Sequence, residues 1–123
     1  MSLQDLPEPE RFKRERERLN DLVFSYLNLP GKRFFALDNE VYQSGALETS
    51  VKELLGLVAS LVLRCDDCVR YHLMRCHQLG LSKEAVVECL EVGLVVGGSI
   101  VIPHLRRAIQ FWDELMPDPP ARE

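Results

Sequence analysis

Two thiols three residues apart, with an imidazole one helical turn below the second, are the densest chemistry in this chain: Cys65-Asp66-Asp67-Cys68, then His72. At i, i+3 and i+7 the three side chains share one face if the segment is helical. Helix geometry then puts the two cysteine Cα atoms about 5 Å apart, inside the range a disulfide accepts. Such a pair can pass between dithiol and disulfide with little backbone movement. The first turn of a helix also favours an anion, and hence the nucleophilic thiolate. His72 is placed to take or supply a proton. Asp66 and Asp67 act in the opposite sense, because negative charge beside a sulfur disfavours its ionised form. The residues alone leave that balance open.

Other readings of the same residues compete. Zinc could recruit Cys65, Cys68, His72 and Cys76, but on one helix these spread over ~16 Å at about 1.5 Å per residue. A tetrahedral site holds its ligands about 2.0–2.3 Å from the metal. Zinc would therefore need Cys89, His104 or another subunit. A thioredoxin-type motif expects a βαβ surrounding, whereas the segment before Cys65 is helical in period. The cysteines could also serve only as small apolar residues of a helical core.

The elements that must position this stripe all read as helices, with no repeat or low-complexity segment. Residues 1–9 are expected to be loose. The pattern then predicts a helix over 10–28, with Phe12, Leu19, Leu22, Val23 and Tyr26 at three-and-four spacing. Its charged half, Arg11 to Arg18, carries five positive residues interleaved with Glu15 and Glu17, which reads as a solvated, salt-bridged face. Leu29-Pro30-Gly31 is expected to end that element. A short helix over Arg33–Tyr42 follows, closed by Ser44-Gly45.

Between Val51 and Leu63 the apolar positions make a single helical stripe, opened by an apparent capping box of Ser50 and Glu53. The next helix runs from about Asp66 to Leu79, with Gly80 as its stop. In a simple antiparallel hairpin turning near Arg64, position 53 faces about position 76. A Glu53 carboxylate would then reach His72 through water or across an oblique crossing. Ser82 is the expected N-cap of a further helix that ends at Gly97-Gly98. The last helix spans about Ile100 to Leu115, with Pro103 in its first turn, and Pro117, Pro119 and Pro120 close the chain. Val92 to Ile102 is rich in β-branched residues, which leaves a strand there as the lesser alternative. His77 and His104 are read as packing or surface residues, Cys76 and Cys89 as buried thiols, and Phe111 and Trp112 as core or subunit contacts.

The whole chain sets wider bounds. Its 123 residues make one domain. A net charge of -4 argues against nucleic-acid or anionic-membrane binding. No apolar run reaches the ~18 residues of a membrane span. The N-terminus lacks a signal-peptide pattern, so a cytoplasmic location is expected. In that compartment cysteines serve chemistry or packing more often than structural disulfides.

Glu53, Cys65, Cys68 and His72 stand at the spacing of a known pattern: a glutamate, about a dozen residues, Cys-x-x-Cys, three residues and a histidine. With Gly80-Leu81-Ser82-Lys83-Glu84 and the Gly97-Gly98 break, the stretch 33–115 resembles the AhpD-like alkylhydroperoxidases of the carboxymuconolactone decarboxylase family. The resemblance implies an all-α domain of about five to six helices, with the Cys-x-x-Cys on a helical hairpin. It implies thiol-dependent reduction of a small hydroperoxide, with Cys68 attacking, Cys65 resolving, and Glu53 and His72 relaying protons. An external dithiol of lipoyl or thioredoxin type would restore the pair. No cofactor or metal is implied, and a homo-oligomer, trimer or hexamer, is. Where some members carry a histidine just before the second cysteine, this chain has Asp67. Lactone decarboxylation would rest on fold analogy alone. A non-enzymatic assembly or stress-response module, and a general disulfide oxidoreductase, are the alternative functions.

Overall fold

Six α-helices follow one another through residues 2–115, the part of the chain described by the computed structural model. They are α1 (Glu8–Tyr26), α2 (Leu29–Val41), α3 (Thr49–Val62), α4 (Asp66–Gln78), α5 (Lys83–Gly97) and α6 (Ile102–Leu115). Single 3₁₀ turns at Leu3–Asp5 and Ser99–Val101 precede α1 and α6. No strand occurs among the described residues. The β-branched run 92–102 forms no strand: it carries α5 to its end at Gly97 and then the 3₁₀ turn before α6, with Val101 buried while Val92, Val95 and Val96 stay exposed. Pro117, Pro119 and Pro120 lie outside the described residues.

The start of the chain is more ordered than its composition predicts. Pro9 stands in the first turn of α1 and is buried, where the missing N–H is no loss and the fixed φ suits a helix. The same physics corrects the expected break at Leu29-Pro30-Gly31. Pro30 opens α2 at its first turn instead of closing the helix before it, and only Leu27 and Asn28 separate α1 from α2.

α3 packs against both α4 and α5, while α4 also packs on α6, and α1 crosses α6. Leu57 and Leu61 of α3, Val69, Leu73 and Cys76 of α4, Val86 and Leu90 of α5, and Phe111 and Trp112 of α6 form the buried centre. Phe12 of α1 meets Phe111 edge-on at 5.7 Å between centroids. α2 buries no residue in the chain's own core.

The α3–α4 hairpin is what brings the thiols to the site. Arg64 adopts a left-handed conformation with φ 62°, which closes α3 through Arg64 N–H to Leu61 O and Cys65 N–H to Ser60 O. The chain leaves this turn with Cys65 as the N-cap of α4. At the other end Gly80, with φ 78°, stops α4 as expected. Ser82 caps α5, its hydroxyl accepting from Ala85 N–H at 3.1 Å.

Candidate functional site

Cys65 and Cys68 occupy the first turn of α4 with their sulfurs 2.7 Å apart. The Cys65 sulfur also accepts from the Cys68 backbone N–H at 3.3 Å, so the N-cap ligand of this helix is a thiol. Cys68 is exposed and Cys65 half-buried. Both free thiols therefore meet the geometric requirement for reversible pairing at a point that solvent can reach.

One turn down the same face lies His72, 7% exposed, with its Nδ1 2.7 Å from Oε1 of Glu53 on α3. Glu53 is 1% exposed, and Arg75 Nε stands 3.4 Å from its other oxygen. The expected capping box does not form. Glu48 is the N-cap of α3, which leaves Ser50 and Glu53 inside the helix. Freed of that task, Glu53 turns into the α3–α4 interface and reaches His72 directly. Cys76 still lies close enough to feel its charge: burial first, then Glu53, pushes the Cys76 thiol up to about 12.

With a carboxylate accepting from Nδ1–H, the ring presents Nε2 as the acceptor. What lies beyond Nε2 is set by Gly56. A Cβ on Gly56 would stand 2.7 Å from His72 Nε2 and 2.6 Å from both His72 Cε1 and the Tyr42 hydroxyl. The bare backbone at this turn of α3 makes room for the imidazole and the phenol together. The rings of Tyr42 and Tyr71 flank His72, with centroids at 5.5 and 5.3 Å. Burial, followed by the charge of Glu53, raises the Tyr42 phenol above its ordinary value.

A cavity of about 200 Å³ lined by Phe12, Arg16, Asp38, Asp67, Cys68, Tyr71 and His72 joins the thiol to the imidazole. In it the Cys68 thiol is pushed up to about 11, by burial, by the neighbouring Cys65 sulfur and by Asp67, against a lowering pull from Arg16. Partial burial and the neighbouring negative charge thus weigh against the thiolate, with Arg16 pulling the other way. Asp66 is bonded to α6. Burial raises its carboxyl, but hydrogen bonds from His104 Nδ1 at 2.9 Å and Arg107 Nε at 2.8 Å outweigh this and hold it below the ordinary range.

The four predicted residues, Glu53, Cys65, Cys68 and His72, are brought together. Tyr42, Gly56, Tyr71 and Arg75 join them without a motif of their own, since their roles arise only once α2, α3 and α4 are packed. Arg16 faces the site although the charged half of α1 reads as solvated. His104 is bonded to Asp66 and is no simple surface residue. Cys89 is half-buried, beside an apolar groove between α3 and α5. Among the described residues no group of three or more His, Cys, Asp or Glu is arranged to hold a metal ion, and no helix is long and apolar enough to cross a membrane.

The sequence profile of the carboxymuconolactone decarboxylase family matches residues 31–111, which include most of α2, all of α3 to α5 and most of α6. The chain belongs to this family. Two crystal structures from Thermotoga maritima superpose with TM-scores of 0.84 and 0.81 at 58% and 59% identity. They cover 86% and 85% of this chain, and 93% and 89% of their own. The second is of a carboxymuconolactone decarboxylase family protein with a possible part in antioxidative response. A family protein of Legionella pneumophila, 20% identical, shares the fold with a TM-score of 0.64 over 85% of this chain and 87% of its own. A Cupriavidus necator protein is 29% identical over 73 residues, 59% of this chain, and the matched part spans 65% of that relative's length.

Proposed function

We propose that this member of the family is a thiol-dependent peroxide reductase. The observation that carries the reading is the Cys65–Cys68 sulfur pair, 2.7 Å apart and sharing one helix face with a histidine held by a buried glutamate. The antioxidative role attached to the Thermotoga relative agrees with it.

In the proposed sequence Cys68, after passing its proton toward His72, attacks the terminal oxygen of a hydroperoxide. The O–O bond breaks, the alcohol leaves with a proton, and Cys68 becomes a sulfenic acid. The Cys65 thiol then displaces the sulfenic oxygen as water and the disulfide forms. An external dithiol, oxidised to its own disulfide, returns both thiols. Glu53 keeps the His72 tautomer fixed and steadies the imidazolium that carries the proton.

The test is a count of free thiols before and after one equivalent of an organic hydroperoxide, with Cys65→Ser and Cys68→Ser as controls. A loss of two thiols that either substitution abolishes is expected. A pair that stays reduced under excess hydroperoxide would remove the reading. It would favour a second one, a non-enzymatic or slow-turnover assembly module, for which the Cys68 thiol pushed up to about 11 speaks.

The assembly is read as a homo-oligomer. An apolar groove of about 640 Å³ between α3 and α5 is lined by Leu55, Val58, Val62, Val92 and Val96 among others. α2 carries Phe34, Leu37 and Val41 exposed, and among the described residues it buries none of its own. One copy's helix and the next copy's groove are complementary in kind. A pairing of unlike patches makes a ring, as in a trimer, when its rotation closes.

A further inference from the structure

Among the four arginines of α1, Arg16 is held differently from the rest. Arg11 donates to the Leu6 carbonyl at 2.9 Å, Arg14 pairs with Glu10 at 3.0 Å, and Arg18 pairs with Glu15. Arg16 turns inward to α4. Its guanidinium carbon sits 4.0 Å over the centroid of the Tyr71 ring, and its side chain lines the cavity that holds Cys68 and His72. An aromatic face steadies a guanidinium without neutralising it. Among the described residues Arg16 forms no ion pair.

The charges facing Cys68 are otherwise committed or adverse. On α4, Asp67 opposes ionisation but is drawn toward Arg70 at 3.5 Å, and Arg70 is itself bound to Glu8 at 2.9 Å. The Cys65 sulfur is also adverse, and His72 is engaged by Glu53 of α3, beside Arg75. From α2, Asp38 lines the cavity and the Tyr42 phenol stands near. Arg16 is thus the uncommitted cation in the pocket. Phe12 and Tyr71 line the same cavity, and a charge beside low-dielectric walls is screened less than one in open water.

We propose that Arg16 is a positioning residue of the thiol site, stabilising the Cys68 thiolate across the shared cavity, so that α1, which precedes the family match, forms a working wall of the site. This rests on Cys68 being the reacting thiol. The same guanidinium lowers the Cys68 thiol against the burial and negative charge that raise it.

The experiment is alkylation of the fully reduced, full-length chain by iodoacetamide across pH, with the rate at Cys68 read by peptide mass spectrometry. In Arg16→Gln the pH midpoint at Cys68 should rise by about one unit, the lower end for a nearby opposite charge. Arg16→Lys should hold most of the wild-type value. If the glutamine variant does not fold, Arg16→Met keeps the apolar stem over Tyr71 and gives the same readout. Anionic iodoacetate should also lose rate relative to neutral iodoacetamide once the cation is gone. An unchanged midpoint and an unchanged ratio of the two reagents in a folded Arg16→Gln or Arg16→Met chain would overturn the proposal. No peroxide enters the measurement. A raised midpoint in a chain whose pair resists hydroperoxide removes only the peroxide reading, whereas an unchanged midpoint with normal disulfide formation removes only the role of Arg16.

Discussion

At the scale of single residues, the Glu53–His72 contact sets the chemistry, because a carboxylate 1% exposed must be satisfied where it lies. His72 and Arg75 provide that satisfaction, and removing one partner of a buried charge is costly. Glu53→Gln keeps the shape and one hydrogen bond to the ring but discards the charge that favours an imidazolium. Hydroperoxide-driven loss of thiols should slow by about 10²-fold in this variant, the lower range for a disabled proton relay, in a chain with unchanged circular dichroism. An equal rate in the two proteins would take Glu53 out of the relay. Gly56 has the opposite character, since its importance is an absence of atoms. Gly56→Ala gains helix propensity by about 1 kcal/mol, yet its methyl would sit 2.6 Å from the Tyr42 hydroxyl and from the imidazole. Because the imidazole is held by Glu53 and flanked by Tyr71, overpacking should win, with a net loss of about 1–3 kcal/mol in urea unfolding together with slowed thiol loss. A more stable variant with full reactivity would show that the imidazole moves aside freely.

At the scale of elements, α4 was legible because its signals are local. The spacing of Cys65, Cys68 and His72, the acidic first turn and the Gly80 stop all lie within sixteen residues of sequence. What was not legible depends on partners. Ser50 and Glu53 satisfy the capping-box pattern, but the backbone enters α3 two residues earlier, and the glutamate then answers to α4. Pro30 looks like a terminator because proline is equally at home after one helix and at the start of the next. Arg16 reads as one more solvated charge, since nothing in α1 itself records that Tyr71 lies beneath it. Asp66 is a further case: as sequence it is an anion threatening two thiols, and in the fold it is the tie between α4 and α6. Its carboxyl is held below the ordinary range in the folded chain by His104 and Arg107, so unfolded chains bind the proton more tightly. That tie therefore stabilises fully above the unfolded pKa and fades as pH falls through the lower, folded one. Asp66→Asn should cost about 1 kcal/mol at neutral pH and flatten the loss of stability between about pH 5 and 3. Urea midpoints measured across that range decide it: parallel curves for the two proteins would mean that the His104 and Arg107 contacts do not count in solution.

At the scale of the whole molecule, the chain carries more apolar surface than its own core can use. Val96 and Leu63 are 68% and 76% exposed, and Phe34 on α2 is 68% exposed. Isolated exposed hydrophobics need no explanation, but Leu63 and Val96 line one continuous groove and Phe34 stands on a helix with no buried residue of its own among those described, which is the mark of an association surface. Burying such a surface is worth roughly 25 cal/mol per Å² before the losses of association. A charge placed at its centre should therefore act through assembly and leave the protomer's fold intact. Val92 lines the groove on α5 and is 54% exposed, so glutamate there can stay solvated in a free protomer and is trapped only in a closed interface. Light scattering of the eluted wild-type protein should give the mass of three or six protomers, and Val92→Glu should shift it to one, with the helical dichroism kept. Phe34→Glu on α2 should do the same, because the groove and the helix are taken to be the two halves of one contact. A wild-type protein that elutes as a single protomer at all concentrations would contradict this assembly. A Phe34→Glu variant that stays oligomeric while Val92→Glu dissociates would instead show that the groove pairs with its own copy across a two-fold axis, and a closed dimer or its multiples would replace the ring.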